Sequence, residues 1–249
     1  MTLPEFSAGA WVLVAVAAFC SGVGKSGLAG FGMLGVVLMA LAVPGRASSG
    51  IVLPLLIAAD LMAASAFRRH IEWPLIGRLI GPIATGVVAG WQLMQAIPDG
   101  SFRPILGWMM LTLVSIQLIR LWRSGGEGAL PRTSLFFWIM GLLVGTTTML
   151  ANAAGPIATV YLLALGLTKD QFVHTMAWLF LLVNLFKVPF MLHLGLIDVG
   201  SLSLNVVLLP AVALGLATGT WAIRRLSREK FGLLVLVLAG LSAVRLVLS

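Results

Sequence analysis

Two glycine-rich breaks, each inside a long apolar stretch, constrain the fold of this chain more than any other feature. The first break covers residues 22–32 and the second covers residues 145–156, and an offset of 123 residues superposes Gly22 on Gly145. Each break is followed, at a similar distance, by a short polar turn. Broken apolar segments at corresponding places in two halves of a chain are typical of transporters and point to the substrate site.

The composition places most of the chain in a lipid bilayer. Of the 249 residues, 60% are hydrophobic and only 10% are charged, whereas a soluble domain carries about 25% charged residues. The formal net charge of +8 is compatible with nucleic acid binding, but the basic residues lie in short loops between apolar runs, as the positive-inside bias predicts. We therefore expect a multi-pass membrane protein, with the bilayer as a partner and no bound nucleic acid.

The order of the apolar runs predicts an all-α polytopic membrane protein that is built from two repeats. A transmembrane helix needs about 20 mostly apolar residues, and the stretches 9–43 and 134–166 are too long for one span and too short for two. We expect each to be a broken or re-entrant stretch followed by about three full helices. The first repeat then covers residues 1–122, a cytoplasmic linker covers residues 123–133, and the second repeat covers residues 134–249.

The full helices are predicted at residues 48–67, 74–96, 104–122, 171–194, 199–223 and 230–248. Within them, Asp60 falls opposite Asn184 at an offset of 124 residues. Two glycines of each half also coincide, at an offset of 129 residues: Gly86 and Gly90 with Gly215 and Gly219. These pairs support the repeat.

The charged residues predict how the repeats are oriented. If each broken stretch enters and leaves on the same side, ten Lys and Arg residues face one side and three face the other. The richer side is then cytoplasmic, and both termini face outward. This arrangement needs an odd number of crossings in each half, which makes the two repeats inverted relative to each other.

Four ionisable residues remain at membrane depth, namely Lys25, Asp60, Arg78 and Lys187. A charge at the centre of a bilayer costs about 3 kcal/mol or more, so each needs a partner or a watery cavity. Arg78 can extend its side chain to the cytoplasmic interface. Lys187 is either a ligand contact or the structural partner of Asp60, and Asp60 is either a coupling acid or a structural charge.

The first break contains Lys25 beside glycines, in the sequence Gly24-Lys25-Ser26. This resembles the end of a phosphate-binding loop, but the earlier glycine and the preceding strand are missing, so we discount nucleotide binding. Two interpretations remain. Either the exposed N–H groups and Lys25 favour an anion there, or the glycines permit close helix packing while Lys25 reaches an aqueous vestibule.

The second break offers neutral hydrogen-bonding groups, from Thr148 and Asn152 among others. Gly155-Pro156 suits the start of a new helix, with proline in its first turn. Threonines in membrane helices often bond only to their own backbone, which is the alternative interpretation of this stretch.

A series of motifs runs through the second half: Gly141-Leu-Leu-Val-Gly145, Ala153-Ala-Gly155-Pro156, Tyr161-Leu-Leu, Gly166-Leu, Phe172-Val-His-Thr175, Asn184-Leu-Phe-Lys187-Val-Pro189 and Gly195-Leu-Ile-Asp198. With these motifs and its hydropathy plan, the chain resembles the TauE/SafE family of bacterial membrane permeases, which are associated with sulfite, sulfonates and related sulfur anions. In the first half, Gly30-Phe31-Gly32-Met33 replaces the denser glycine cluster and proline of the family pattern.

The resemblance implies a secondary transporter of a small anion, a sulfur oxyanion or an organosulfonate, in the bacterial inner membrane. We expect alternating access with a central site between the two breaks. The predicted substrate-binding residues are Lys25, Ser26, Gly30, Gly32, Thr148, Asn152, Gly155, Pro156, Thr175, Asn184 and Lys187.

Two alternatives stay open. One is a proton- or cation-coupled permease for a neutral or metal substrate, with Asp60 as the coupling acid. The other is a membrane subunit without transport. The sequence has no enzyme constellation and no metal-ligand spacing, so we expect no enzyme, no metal site and no cofactor. We expect coupling to an ion gradient, of protons or sodium, or to none, rather than to ATP, and a homodimer is left open.

Overall fold

The computed structural model describes residues 6–26, 28–43, 45–66, 70–122, 133–165, 167–225 and 228–248. These residues form α1 (Ala8–Lys25), α2 (Ala29–Ala42), α3 (Ala47–Ala66), α4 (Trp73–Ala96), α5 (Asp99–Trp122), α6 (Ser134–Ala151), α7 (Gly155–Ala164), α8 (Lys169–His193), α9 (Val199–Arg225) and α10 (Arg228–Leu248). The predicted linker lies outside the described residues, apart from its last residue, Thr133, whose hydroxyl caps α6.

Six of the described helices are long and apolar enough to cross a membrane: α1, α3, α4, α6, α8 and α9. The prediction of an all-α polytopic membrane protein is therefore confirmed. The helix that ends each broken stretch is shorter. With a rise of 1.5 Å per residue, the 10 residues of α7 extend over about 15 Å, or half of the hydrocarbon core.

Each break lies a few residues after the glycine that marks it in the sequence. Residues 26–28 separate α1 from α2, and residues 152–154 separate α6 from α7. Gly22 and Gly145 therefore lie inside α1 and α6, where they allow a second helix to approach. At Gly22 this agrees with the close-packing interpretation of the first break, and Gly145 has the same role in the second half.

The two halves pack across each other through these glycines. A Cβ atom on Gly22 would overlap the carbonyl oxygen of Val212 on α9, and one on Gly145 would overlap the carbonyl oxygen of Ile83 on α4. The partner residues differ by the same 129 positions that separate the repeated glycine pairs of α4 and α9. Small residues let helix backbones approach this closely in a membrane. Equivalent contacts thus hold the first helix of each half against the other half, and the inversion of the repeats stays a prediction.

The first broken stretch is a helical hairpin. A Cβ atom on Gly24 would lie 2.7 Å from the backbone nitrogen of Gly32, and one on Gly35 would lie 2.8 Å from the carbonyl oxygen of Ala17. Residues near the turn face each other, as do residues further from it, so α1 and α2 run antiparallel. Lys25 lies at the tip of this hairpin, and the turn brings it to the middle of α3.

An ion pair closes the loop between α2 and α3. Arg46 Nε donates to Asp99 Oδ1 at 2.7 Å, and Arg46 Nη1 donates to the carbonyl oxygen of Met94 at 2.9 Å. The hydrogen bond from the Arg46 guanidinium lowers the pKa of the Asp99 carboxyl below its usual value. This contact joins the end of the first broken stretch to α4 and α5.

Candidate functional site

The tip of the α1–α2 hairpin and the middle of α3 meet in an ion pair. Lys25 Nζ lies 2.7 Å from Asp60 Oδ1, with the Lys25 side chain 15% exposed and the Asp60 side chain fully buried. Lys25 Nζ also lies 4.9 Å from the centre of the Phe180 ring on α8, within range of a cation–π interaction. No described residue makes a well-angled hydrogen bond to Asp60 Oδ1, so the contact of that oxygen with Lys25 is an ion pair.

Asn184, on α8, connects this ion pair to a second lysine. Its Nδ2 donates to Asp60 Oδ2 at 2.7 Å, and its Oδ1 accepts from Lys187 Nζ at 3.3 Å. The two contacts fix the orientation of the amide, because only Nδ2 can donate to a carboxylate. Of the two alternatives for Lys187, the direct pair with Asp60 is not the one found: Lys25 contacts Asp60 Oδ1, and Asn184 lies between Asp60 and Lys187.

Lys187 is fully buried and is surrounded by neutral oxygens. Its Nζ donates to Thr148 Oγ1 at 3.2 Å, to Asn152 Oδ1 at 2.5 Å and to Asn184 Oδ1. Three acceptors match the three N–H groups of an ammonium ion. The second break therefore places neutral acceptors around Lys187 Nζ, and none of its described residues supplies a carboxylate.

The break between α6 and α7 aims the Asn152 side chain at Lys187 Nζ. Asn152 ends α6 in the left-handed conformation, with φ of 51°, which asparagine tolerates better than most residues. Its Nδ2 donates to the carbonyl oxygen of Ser49 at 2.9 Å, which leaves Oδ1 for Lys187. Ser49 Oγ in turn donates to the carbonyl oxygen of Leu150. The start of α3 thus holds the end of α6 in place.

We name these six residues the polar cluster: Lys25, Asp60, Thr148, Asn152, Asn184 and Lys187. The first half supplies Lys25 and Asp60, and the second half supplies the other four. The cluster therefore lies at the contact between the halves and next to both breaks. Five of the predicted substrate-binding residues meet here, together with the predicted coupling acid.

The other predicted residues of the first break lie apart from the cluster. The Ser26 hydroxyl donates to the carbonyl oxygen of Val23 and faces Gly219 on α9. Gly30 and Gly32 lie in the first turn of α2, where nothing lies within 4 Å of a Cβ atom built on Gly32. They border the hairpin tip without contributing a polar side chain.

In the second half, Gly155 begins α7, three residues after Asn152. The side chain of Pro156 lies outside the described part of the chain. Thr175 is buried, and its hydroxyl accepts the backbone N–H of Glu72 at 3.0 Å. This contact ties α8 to the start of α4. It lies about 13 Å from Asn184 along the helix, given 1.5 Å per residue, so Thr175 does not join the cluster.

Sequence reasoning missed two participants, Ser49 and Phe180. Ser49 contributes its backbone carbonyl, and its position in a polar Ser48-Ser49 pair at the start of α3 was the available signal. Phe180 contributes a ring face, and nothing in the sequence separates it from the other aromatic residues of α8.

Comparison with known protein families matches residues 14–246 to the family described as "Sulfite exporter TauE/SafE". Comparisons with curated proteins and with solved structures give no match. The family match covers nearly all of the 249 residues, including α2 to α9, most of α1 and α10, and the whole polar cluster. The chain therefore belongs to the TauE/SafE family of sulfite exporters, which are membrane permeases for sulfite and related sulfur compounds.

Proposed function

We propose that this protein is a secondary transporter of a small anion, a sulfur oxyanion or an organosulfonate, with its central site at the polar cluster. One observation carries the proposal. Lys187 is fully buried, and its ammonium contacts three neutral oxygens and no carboxylate among the described residues. A substrate anion would supply the missing countercharge.

The cost of burying a charge supports this interpretation. Moving an ion from water into a protein interior costs several kcal/mol even after the protein relaxes. Removing one partner of a buried ion pair destabilises the folded state by about 3–5 kcal/mol. Hydrogen bonds to Thr148, Asn152 and Asn184 offset part of that cost but add no negative charge. Ionisable groups inside a membrane usually mark a substrate or ion pathway, and a buried ammonium without a carboxylate partner is stabilised when an anion binds beside it.

The position of the cluster supports alternating access. Lys25 and Asp60 belong to the first half, and Lys187 with its three acceptors belongs to the second half. A movement of one half against the other has to rearrange the contact between Asn184 and Asp60. In transporters with inverted repeats, rigid-body rocking of the repeats exposes a fixed midplane site to each side in turn.

Stabilisation by ligands tests the proposal. A ligand at 100 times its Kd adds about 2.7 kcal/mol to the stability of the folded state. Purified protein would be melted in detergent with sulfite, sulfate, thiosulfate, sulfoacetate, taurine and acetate, all as the same cation salt. We expect a selective rise in melting temperature with at least one sulfur anion and its loss in Lys187→Met. No rise with any anion would contradict the proposal.

Asp60 favours a second candidate, a proton- or cation-coupled permease for a neutral or metal substrate. Its side chain is fully buried, and the other described acids lie at helix ends. An acid at this depth can carry a coupling proton. Transport that is driven by a pH gradient, insensitive to every anion and abolished in Asp60→Asn would favour this candidate over the anion transporter.

For the orientation, we propose the bacterial inner membrane with both termini outside. The support is the excess of ten Lys and Arg residues on one side against three on the other, as the loop assignment gives it. The test is a cysteine placed at Ser249 in a Cys20→Ser background. An impermeant thiol reagent should label it in intact spheroplasts, and labelling only after lysis would reverse the orientation.

A further inference from the structure

The charges of the polar cluster do not cancel. With both lysines protonated and Asp60 ionised, the cluster has two positive charges and one negative charge. The contacts fit these states, because Lys187 Nζ faces three acceptors and both Asp60 oxygens face donors. The remaining acids with described side chains lie at or beside helix ends: Glu72, Asp99, Asp170 and Asp198. The cluster thus carries one positive charge in excess.

We propose that this excess selects singly charged oxyanions, so that the site takes a sulfonate group, R–SO₃⁻, in preference to a dianion such as sulfate. The inference rests on the proposed function and specifies its substrate class. A monoanion brings the net charge of the occupied site to zero. A dianion leaves one uncompensated negative charge, which is costly where the local dielectric constant is low.

Asp60 is the specificity-determining residue in this account. It cancels the charge of one lysine and so sets the total that the substrate has to balance. Its carboxylate is held by Lys25 on one oxygen and by Asn184 on the other, both at 2.7 Å. This double contact keeps the negative charge in place when the substrate enters.

The two lysines have different roles in the same site. All three N–H groups of Lys187 point at oxygens of the protein, so it supplies a fixed positive charge. Lys25 has Asp60 as its one carboxylate partner among the described residues, and its side chain is 15% exposed. Lys25 is therefore the lysine that can offer an N–H group to the incoming anion.

Methanesulfonate and sulfate are the matched probes. Both are small tetrahedral sulfur anions, and they differ mainly by one methyl group in place of one charged oxygen. Their Kd values would be measured by calorimetry on the purified full chain, at constant ionic strength because salt screens charge. We expect the wild-type protein to bind methanesulfonate at least about tenfold more tightly than sulfate.

Charge variants then shift the preference. Asp60→Asn raises the excess charge to two and should move the ratio of the Kd values at least about tenfold toward sulfate. Adding Lys25→Met to Asp60→Asn returns the excess to one and should restore the wild-type ratio, even with weaker binding of both anions. Asp170→Asn makes the same chemical change at an exposed position of α8 and should leave the ratio unchanged.

The outcomes distinguish a failure of the proposed function from a failure of the charge rule alone. If the wild-type protein binds neither probe, the proposed function and this inference both fail. If it binds both but sulfate is as tight or tighter, or if a folded Asp60→Asn keeps the wild-type ratio, the charge rule fails while anion binding stands. The wild-type ratio is decisive by itself where Asp60→Asn does not fold.

Discussion

Asn184 and Asp60 occupy corresponding positions in the two halves of the sequence, and they hydrogen-bond to each other at 2.7 Å across 124 residues. The same correspondence, at the offset of 123 residues, pairs Lys25 with Thr148. Four of the six residues of the polar cluster therefore occupy two pairs of equivalent positions. In each of these pairs the first half supplies a charged residue and the second half supplies a neutral one.

Replacing Asn184 with Leu should destabilise the protein. The change removes the donor to Asp60 Oδ2 and an acceptor of Lys187, and a buried group that loses its partner costs about 1–3 kcal/mol. Asn205→Leu is the matched control, because Asn205 is also buried in a membrane helix and neither atom of its amide has a hydrogen-bond partner among the described residues. Thermal melting in detergent should show a lower melting temperature for Asn184→Leu and an unchanged or higher one for Asn205→Leu. An equal decrease in melting temperature in both variants would mean that the hydrogen bonds of Asn184 do not contribute specifically to stability.

Adding one methyl group at either repeated glycine should loosen the contact between the halves. A Cβ atom on Gly22 or on Gly145 would overlap a backbone carbonyl of the other half, and forced overpacking costs about 1–3 kcal/mol. Gly22→Ala and Gly145→Ala should both lower the melting temperature, by similar amounts. Gly77→Ala, where nothing lies within 4 Å of the added carbon, should not. A harmless Gly145→Ala would argue against the close packing of α6 on α4.

Substitutions at Asn152 separate backbone strain from side-chain chemistry. Glycine adopts the observed φ of 51° freely, so Asn152→Gly should keep the fold while Lys187 loses its Asn152 acceptor. Asn152→Ala loses the same acceptor and adds about 1 kcal/mol of left-handed strain. We expect weaker anion binding in both variants and a lower melting temperature for Asn152→Ala than for Asn152→Gly. Unchanged anion binding in Asn152→Gly would remove Asn152 from the site.

The pair of Arg46 and Asp99 predicts a small effect of known sign on the pH dependence of stability. The guanidinium lowers the pKa of Asp99 below 3.8. The pair therefore stabilises the folded state at neutral pH, and this contribution is lost only as the pH falls through that lowered pKa. Since the Asp99 side chain is 67% exposed, the contribution should be at most about 0.5 kcal/mol. Asp99→Asn should thus melt slightly below the wild-type protein from about pH 5 to pH 8, with a difference that narrows in acid and with added salt. A difference that grows in acid would contradict the assignment.

Hydropathy and glycine spacing were enough to predict the helices. Each apolar run of about 20 residues can satisfy its backbone in lipid only as a helix, so the sequence leaves little choice. The breaks were located less well, because glycine has two uses in such a chain. Gly22 and Gly145 permit close packing within helices, whereas the turns follow them, and only the three-dimensional partners distinguish the two cases.

The polar cluster was predictable as a set of residues and not as a set of bonds. An ionisable group in an apolar run needs a partner, which singled out Lys25, Asp60 and Lys187. Which lysine would take the carboxylate depended on where the α1–α2 hairpin turns, and the sequence does not encode that position in a readable way. Thr175 lies in the same helix as Asn184, but it contacts the start of α4 and not the polar cluster. A motif match alone cannot distinguish a residue of the cluster from a residue of a helix contact.

Export of a labelled sulfonate from proteoliposomes tests the central claim, that Lys187 is the buried countercharge of an anion. The comparison is between wild-type protein, Lys187→Met and Arg78→Gln, the last of which removes a positive charge from an exposed position of α4. Losing a unit charge beside the anion, where the local dielectric constant is low, should reduce transport by Lys187→Met about a hundredfold, while Arg78→Gln should retain most of the wild-type rate. Lys187→Met protein that is folded, correctly inserted and still transports the sulfonate at the wild-type rate would contradict the account.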